Sequence, residues 1–250
     1  MAHGRISLLV LAVGLTAAPG ALAQRDPGAR GAPASAAAGA GAEPPAVSSA
    51  PPLYQLPKVG KPRGRIGGGR RGPIQGVAEL HALAPDHVGQ TTSAQPTLYW
   101  YLAEPVAEGV ALELTLIDAT SVDPLLDRRL PRPERAGLQR VSLAEYRIAL
   151  EPGQEYQWSI AAVPDPEDHA KDVVASGWIE RVPAPAGIQE RLAAAGPVDA
   201  PAVYGAAGLW YDMLDAAYER VRANPEAATY REQLAAVLEQ AGLPAEAARR

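Results

Sequence analysis

The chain has no cysteine and no phenylalanine, only two methionines, and four histidines in 250 residues. Without cysteine there is no disulfide framework, thiol nucleophile, cysteine zinc site or lipidated cysteine anchor. No apolar run approaches 20 residues outside the N-terminal region, which excludes a multi-span helical membrane protein. No Gly-x-Ser-x-Gly is present, so the serine-hydrolase elbow is missing. Proline and glycine are abundant, at 25 and 24 residues, yet the apolar fraction of 47% is enough for a packed core.

The first 23 residues have three parts. Arg5 supplies a positive charge, Ile6 to Leu15 is an apolar stretch, and Ala21-Leu22-Ala23 is a small-x-small site. This pattern predicts a signal peptide over 1–23 and an exported, periplasmic or extracellular protein. The apolar stretch is too short to span a bilayer, so no transmembrane span is expected in the mature chain. Residues 24–52 are almost entirely Ala, Gly, Pro and Ser, a composition that predicts a disordered linker.

Residues 53–76 form a basic Gly-rich arm. It carries Lys58, Lys61, Arg63, Arg65, Arg70 and Arg71 and no acid, whereas from Pro73 onward there are 14 basic and 26 acidic residues. A basic arm joined to an acidic body points to anion contacts by Arg63, Arg65, Arg70 and Arg71. The glycines around them do not make a nucleotide phosphate loop, because no Gly-Lys-Ser/Thr follows. Alternatively, the arginines stay solvated or pair with the acidic body.

Residues 77–183 carry short apolar stretches of period two. Leu112, Leu114 and Leu116 alternate with Glu113, Thr115 and Ile117; Tyr156, Trp158 and Ile160 alternate with Gln157, Ser159 and Ala161. Alternation places each set on one face of a strand. Turn signals at Glu108-Gly109, Asp123-Pro124, Pro152-Gly153 and Asp165-Pro166 separate the stretches. Tyr156 follows Pro152-Gly153 as in the tyrosine corner of immunoglobulin-like domains. The expected fold is therefore mainly β with a C-terminal α part: an immunoglobulin/fibronectin-III-like antiparallel β-sandwich plus a helical hairpin.

Residues 184–250 form that helical region. Apolar residues at 209, 210, 213, 214, 217, 218 and 221 line one face of a helix, with Asp212, Asp215, Glu219 and Arg220 on the other. Asn224-Pro225-Glu226 reads as the start of a second helix, and Gly242 as its end. A shorter helix is expected near Ile188 to Ala195.

No catalytic constellation stands out, and no cofactor or metal site is predicted. His81 and His87 have no recognised ligand spacing, and the acids around His169 lack the calcium-loop pattern. The favoured reading is a non-enzymatic binding module for an envelope protein or an anionic polymer, with no nucleic-acid partner. A secreted hydrolase or carbohydrate-active enzyme is the alternative, with Asp165, Asp168 and His169 as first suspects. A structural role in an envelope assembly is another, with the helical hairpin as the docking face; exposed Trp210 and Leu214 would support it.

Several segments, in order, resemble a bacterial family of unknown function, number 928 in the domain-of-unknown-function series. They are Gly60 to Arg65 with Gly67 to Gly72, Thr91 to Thr97 with Trp100-Tyr101, Tyr156-Gln157-Trp158, Asp165-Pro166, Gly177-Trp178-Ile179 and Leu209 to Asp212. The resemblance spans about residues 57 to 243 and implies an exported bacterial protein. It implies no activity, cofactor or site residue. Arg70 stands where that family is expected to carry a small polar residue.

Overall fold

The computed structural model describes residues 50–57 and 79–249, all within one compact unit. The predicted signal peptide, most of the predicted linker and the arginines of the basic arm lie outside the described residues.

Eight strands form two sheets. The smaller is antiparallel, in the order β1-β3-β6, from β1 (Leu80–Ala82), β3 (Thr97–Leu102) and β6 (Gly137–Ser142). The larger has the order β2-β8-β7-β4-β5, from β2 (Gly89–Thr91), β8 (Val173–Arg181), β7 (Glu155–Val163), β4 (Ala111–Asp118) and β5 (Pro124–Leu130). Its pairs are antiparallel except β2 with β8, which run parallel. Four helices follow: α1 (Ile188–Ala206), α2 (Trp210–Ala223), α3 (Ala228–Gln240) and α4 (Ala245–Ala248).

The predicted immunoglobulin/fibronectin-III-like sandwich does not form. Neither sheet closes or curls into a sandwich, and among the described residues the larger one ends at β2 and β5. Alternation shows that one face of a strand is covered but does not say by what. Leu112, Leu114 and Leu116 of β4, and Tyr156, Trp158 and Ile160 of β7, are buried as the pattern requires. Part of the cover comes from helix α2, whose Trp210 and Tyr211 enter the same core. The Tyr156 hydroxyl does accept a bond from the Glu151 amide at 3.0 Å, so the corner contact is a local device that needs no immunoglobulin topology.

Strand β3 departs from alternation. Leu98, Tyr99, Trp100, Tyr101 and Leu102 are all buried, as in a strand covered on both faces. Tyr99 faces the helices, since its hydroxyl donates to Asp215 of α2 and its ring lies 5.3 Å from that of Tyr218. By the pleat, Leu98, Trp100 and Leu102 face the opposite way.

Two buried aromatic side chains seat α2. Trp210 donates its indole N–H to the Leu83 carbonyl at 3.0 Å. The Tyr211 hydroxyl accepts from the Trp158 indole at 2.8 Å and donates to the Trp178 carbonyl at 2.9 Å. That approach requires glycine at position 89, where an added Cβ would stand 2.7 Å from the Tyr211 ring.

The helical region differs in detail from its pattern. The predicted short helix continues past Ala195 through a break at Gly196, which has φ 64°, and on to Ala206. Asn224 closes α2 rather than opening α3: its side chain donates to the Arg220 carbonyl, and α3 begins at Ala228. Gly242 adopts φ 79° just past α3, the left-handed position that favours glycine at a helix end.

Residues 50–57 run along the helices. The Gln240 side chain accepts from the Tyr54 amide and donates to the Pro52 carbonyl, at 2.8 and 2.9 Å. Gln233 donates to the Ala50 carbonyl at 3.1 Å, and the Gln55 amide to the Gly205 carbonyl at 3.0 Å. The Tyr54 ring stacks on His87 and meets Trp210 edge-on. Burial holds His87 below its ordinary pKa, so its neutral Nε2 is suited to accept from the Tyr54 hydroxyl, 2.8 Å away.

Replacing Tyr211 with Phe removes the relay and leaves the buried Trp158 indole without an acceptor. The expected cost is about 1–3 kcal/mol, measured by urea unfolding. A variant as stable as the wild type would show that the relay does not hold α2 in place.

Candidate functional site

Strand β2 ends at Thr91, and the chain turns away from the sheet edge through Thr92 and Ser93. Two short bonds shape this turn: Thr91 Oγ1 accepts from the Ser93 amide at 3.1 Å, and Ser93 Oγ from the Gln95 amide at 3.2 Å. Such side-chain acceptors replace ladder partners where a strand stops. The turn lies against the first turn of α2. There Asp212 accepts from the Thr92 amide at 3.0 Å and from the Thr92 hydroxyl at 2.7 Å.

The contact lies at one end of a cleft of about 380 Å³. Asp212, Asp215 and Glu219 line it from α2, with Tyr204 of α1 beside them. Their spacing of three and four residues puts the carboxylates on one stripe of the helix. Each has a different tie. Asp212 is held by Thr92, Asp215 accepts from the Tyr99 hydroxyl at 2.6 Å, and Glu219 pairs with Arg140 at 3.3 Å and Arg222 at 2.6 Å.

Burial raises the Asp212 pKa above the usual carboxylate range, against the opposing pull of the bonds from Thr92 and Thr91. Burial also raises the Tyr204 hydroxyl, aided by the fields of Asp212 and Asp215. Tyr99 is raised by burial and by Asp215. The cleft is therefore an acceptor-rich surface that also carries the hydroxyls of Thr92, Ser93 and Tyr204. It can bind hydroxyl or amine groups. Among the described residues, none of its hydroxyls is bonded to a histidine. A larger, more apolar groove of about 520 Å³ lies between Tyr101, Leu138 and helices α3 and α4.

The residues singled out in the sequence fall elsewhere. Arg63, Arg65, Arg70 and Arg71 lie outside the described residues. Asp165, Asp168 and His169 occupy the loop between β7 and β8, where they are held by their neighbours. Lys171 bridges Asp165 at 2.8 Å and Asp168 at 3.1 Å, and His169 pairs with Asp172 at 2.9 Å. The bond from Lys171 lowers the Asp165 pKa, and Asp172 raises that of His169. Trp210 and Leu214 are fully buried, so they offer no docking surface. Among the described residues, no group of three or more His, Asp or Glu is placed to hold a metal ion, and no helix is long and apolar enough to cross a membrane.

The cleft itself was missed by sequence reasoning, which assigned Asp212, Asp215 and Glu219 to the solvent face of α2. The available signal was the pair of segments Thr91 to Thr97 and Leu209 to Asp212. Both carry the family resemblance, and they meet here through Thr92 and Asp212 although 120 residues separate the two.

Comparison with known proteins agrees with that resemblance. The model of the family described as Domain of Unknown Function (DUF928) matches residues 66–250. The chain belongs to this family of exported proteins, and it is itself exported, periplasmic or extracellular. No curated protein matches it.

A carboxyl with a raised folded-state pKa adds stability that is complete below the unfolded value and is lost as pH rises through the folded one. Asp212→Asn removes that dependence. Melting temperature should therefore shift in favour of the variant, relative to wild type, between about pH 3.5 and pH 7. A difference that is constant with pH, or that moves the other way, would show that Asp212 does not titrate with a raised pKa.

Proposed function

We propose that this exported protein is a non-enzymatic binding module whose Arg63, Arg65, Arg70 and Arg71 contact an anionic partner in the envelope. The observation that supports the reading is charge segregation across a segment whose two flanks are anchored. Residues 50–57 are fastened to the helices by hydrogen bonds to Gln233, Gln240 and Gly205. Strand β1 takes up the chain again at Leu80, paired with Leu102 of β3. Between these anchors lie six basic residues and one acid, Glu79, beside β1, in a chain of net charge −5.

Anchoring both ends of a basic segment lowers the entropy lost when it binds. Guanidinium groups suit carboxylate, phosphate and sulfate partners because they donate in pairs. The remaining body is acidic and disfavours general adhesion to a polyanion, so attraction to one is assigned to this segment. An anionic surface polymer offers such groups in repeated array. An acidic patch on an envelope protein offers the same chemistry.

Retention of the full chain on an immobilised anionic polysaccharide tests the proposal. Wild type should be retained at low salt and released as salt rises. Replacing the four arginines together with Ala should weaken binding about tenfold or more, as exposed charge contacts are worth ~0.2–1 kcal/mol each. Pulldown from envelope extract with the same pair separates a protein partner from a polymer. Retention and pulldown that are both unchanged in the quadruple variant would sink the reading.

A further inference from the structure

Among the described residues, Arg220 is the one charged side chain with as little as 7% of its surface exposed. It lies in the last turn of α2. One Nη donates to the Val198 carbonyl of α1, and the other donates to Gln233 Oε1 of α3 at 2.6 Å. The guanidinium also sits 4.5 Å from the centre of the Tyr230 ring. Its Nε is buried with no hydrogen-bond partner. No carboxylate comes within ion-pair distance of it among the described residues, and Asp199 acts on it only through its field.

A guanidinium presents five N–H donors, and two are engaged in these bonds. A buried charge without a counter-ion is strongly unfavourable. The carbonyl end of α2 and the Tyr230 ring offset only part of that cost. Arg220 also borders a cavity of about 430 Å³ with Val198, Ala200, Tyr204, Ala216 and Tyr230. Its wall is mainly apolar. Glu219 at its edge is engaged by Arg140 and Arg222. Asn224 and the two tyrosines add a few further polar atoms, and a mostly apolar cavity of this size with a few placed polar groups is the usual form of a small-molecule site.

We propose that the cavity binds a small apolar carboxylate, with its charge against Arg220 and its body against Val198, Ala200 and the two tyrosines. One guanidinium matches a single negative charge. A dianionic phosphate would keep an uncompensated charge among apolar side chains. The proposal is independent of the arginine arm, because it uses other residues and another ligand class.

Calorimetric titration of the full chain with benzoate and hexanoate, beside benzamide and hexanamide, tests it. The carboxylates should bind and raise the melting temperature, whereas the amides should not. Arg220→Gln should weaken carboxylate binding about tenfold or more, the scale of a lost charge-assisted bond. Where Arg220→Gln fails to fold, Ala200→Leu decides: it fills the cavity, leaves Arg220 in place, and should abolish binding while the circular dichroism spectrum is unchanged. Equal binding of acid and amide, no binding of either acid, or full carboxylate binding by a folded variant overturns the proposal.

Discussion

The position of helix α2 depends on two aromatic side chains that are buried and polar at their tips. Tyr211 joins the indole of Trp158 to the carbonyl of Trp178, and Trp210 reaches the carbonyl of Leu83. Each tip, if displaced, would leave a donor or acceptor unsatisfied in a dry interior, at a cost well above the net value of an ordinary hydrogen bond. The helix therefore has little freedom to slide or rotate. Everything placed along it inherits that constraint: Asp212 against Thr92, Asp215 against Tyr99, and Arg220 between α1 and α3.

The same constraint links the sheet to the cleft. Strand β2 is a short parallel edge on β8, with Gly89 facing Ile179 and Thr91 facing Arg181. Gly89 admits the Tyr211 ring, which no residue with a Cβ would do without a shift. With the ring in place, the first turn of α2 meets the chain as it leaves Thr91. A second glycine has a similar part at β8, where a Cβ on Gly177 would stand 2.4 Å from the Cβ of Ala84. Such close backbone approach is what strand glycines allow.

Much of the local structure was legible because burial in a strand or helix has a period. Leu112 to Leu116, Tyr156 to Ile160 and the apolar stripe of α2 all carry it. The assembly was not legible, because a periodic pattern gives the face that is covered and leaves the covering element open. Sheet on sheet was the natural reading of the strands, but the helices supply part of the cover. Leu98 to Leu102 shows the limit most directly. That run is covered on both faces, and alternation has nothing to report there. The polar stripe Asp212, Asp215, Glu219 failed for a related reason: a carboxylate in a partly buried cleft and one in water look alike in sequence. Only the partners Thr92 and Tyr99, 120 and 116 residues away, make the difference.

Density of charge was the poorer guide to chemistry, and burial the better one. The Asp165 to Asp172 loop is dense in charge, yet Lys171 pairs with Asp165 and Asp168, and His169 with Asp172. Exposed pairs such as those of Lys171 contribute little to stability. Arg220 looked unremarkable on the polar side of its helix. Packed between α1, α3 and the Tyr230 ring, it carries a full charge away from water with no ion-pair partner among the described residues. An isolated charge in that setting is tolerated only where other interactions hold it or where a counter-charge arrives. The cavity beside it gives a counter-charge somewhere to sit, and for that reason Arg220, rather than the acidic loop, marks where a ligand would change the energy of the fold.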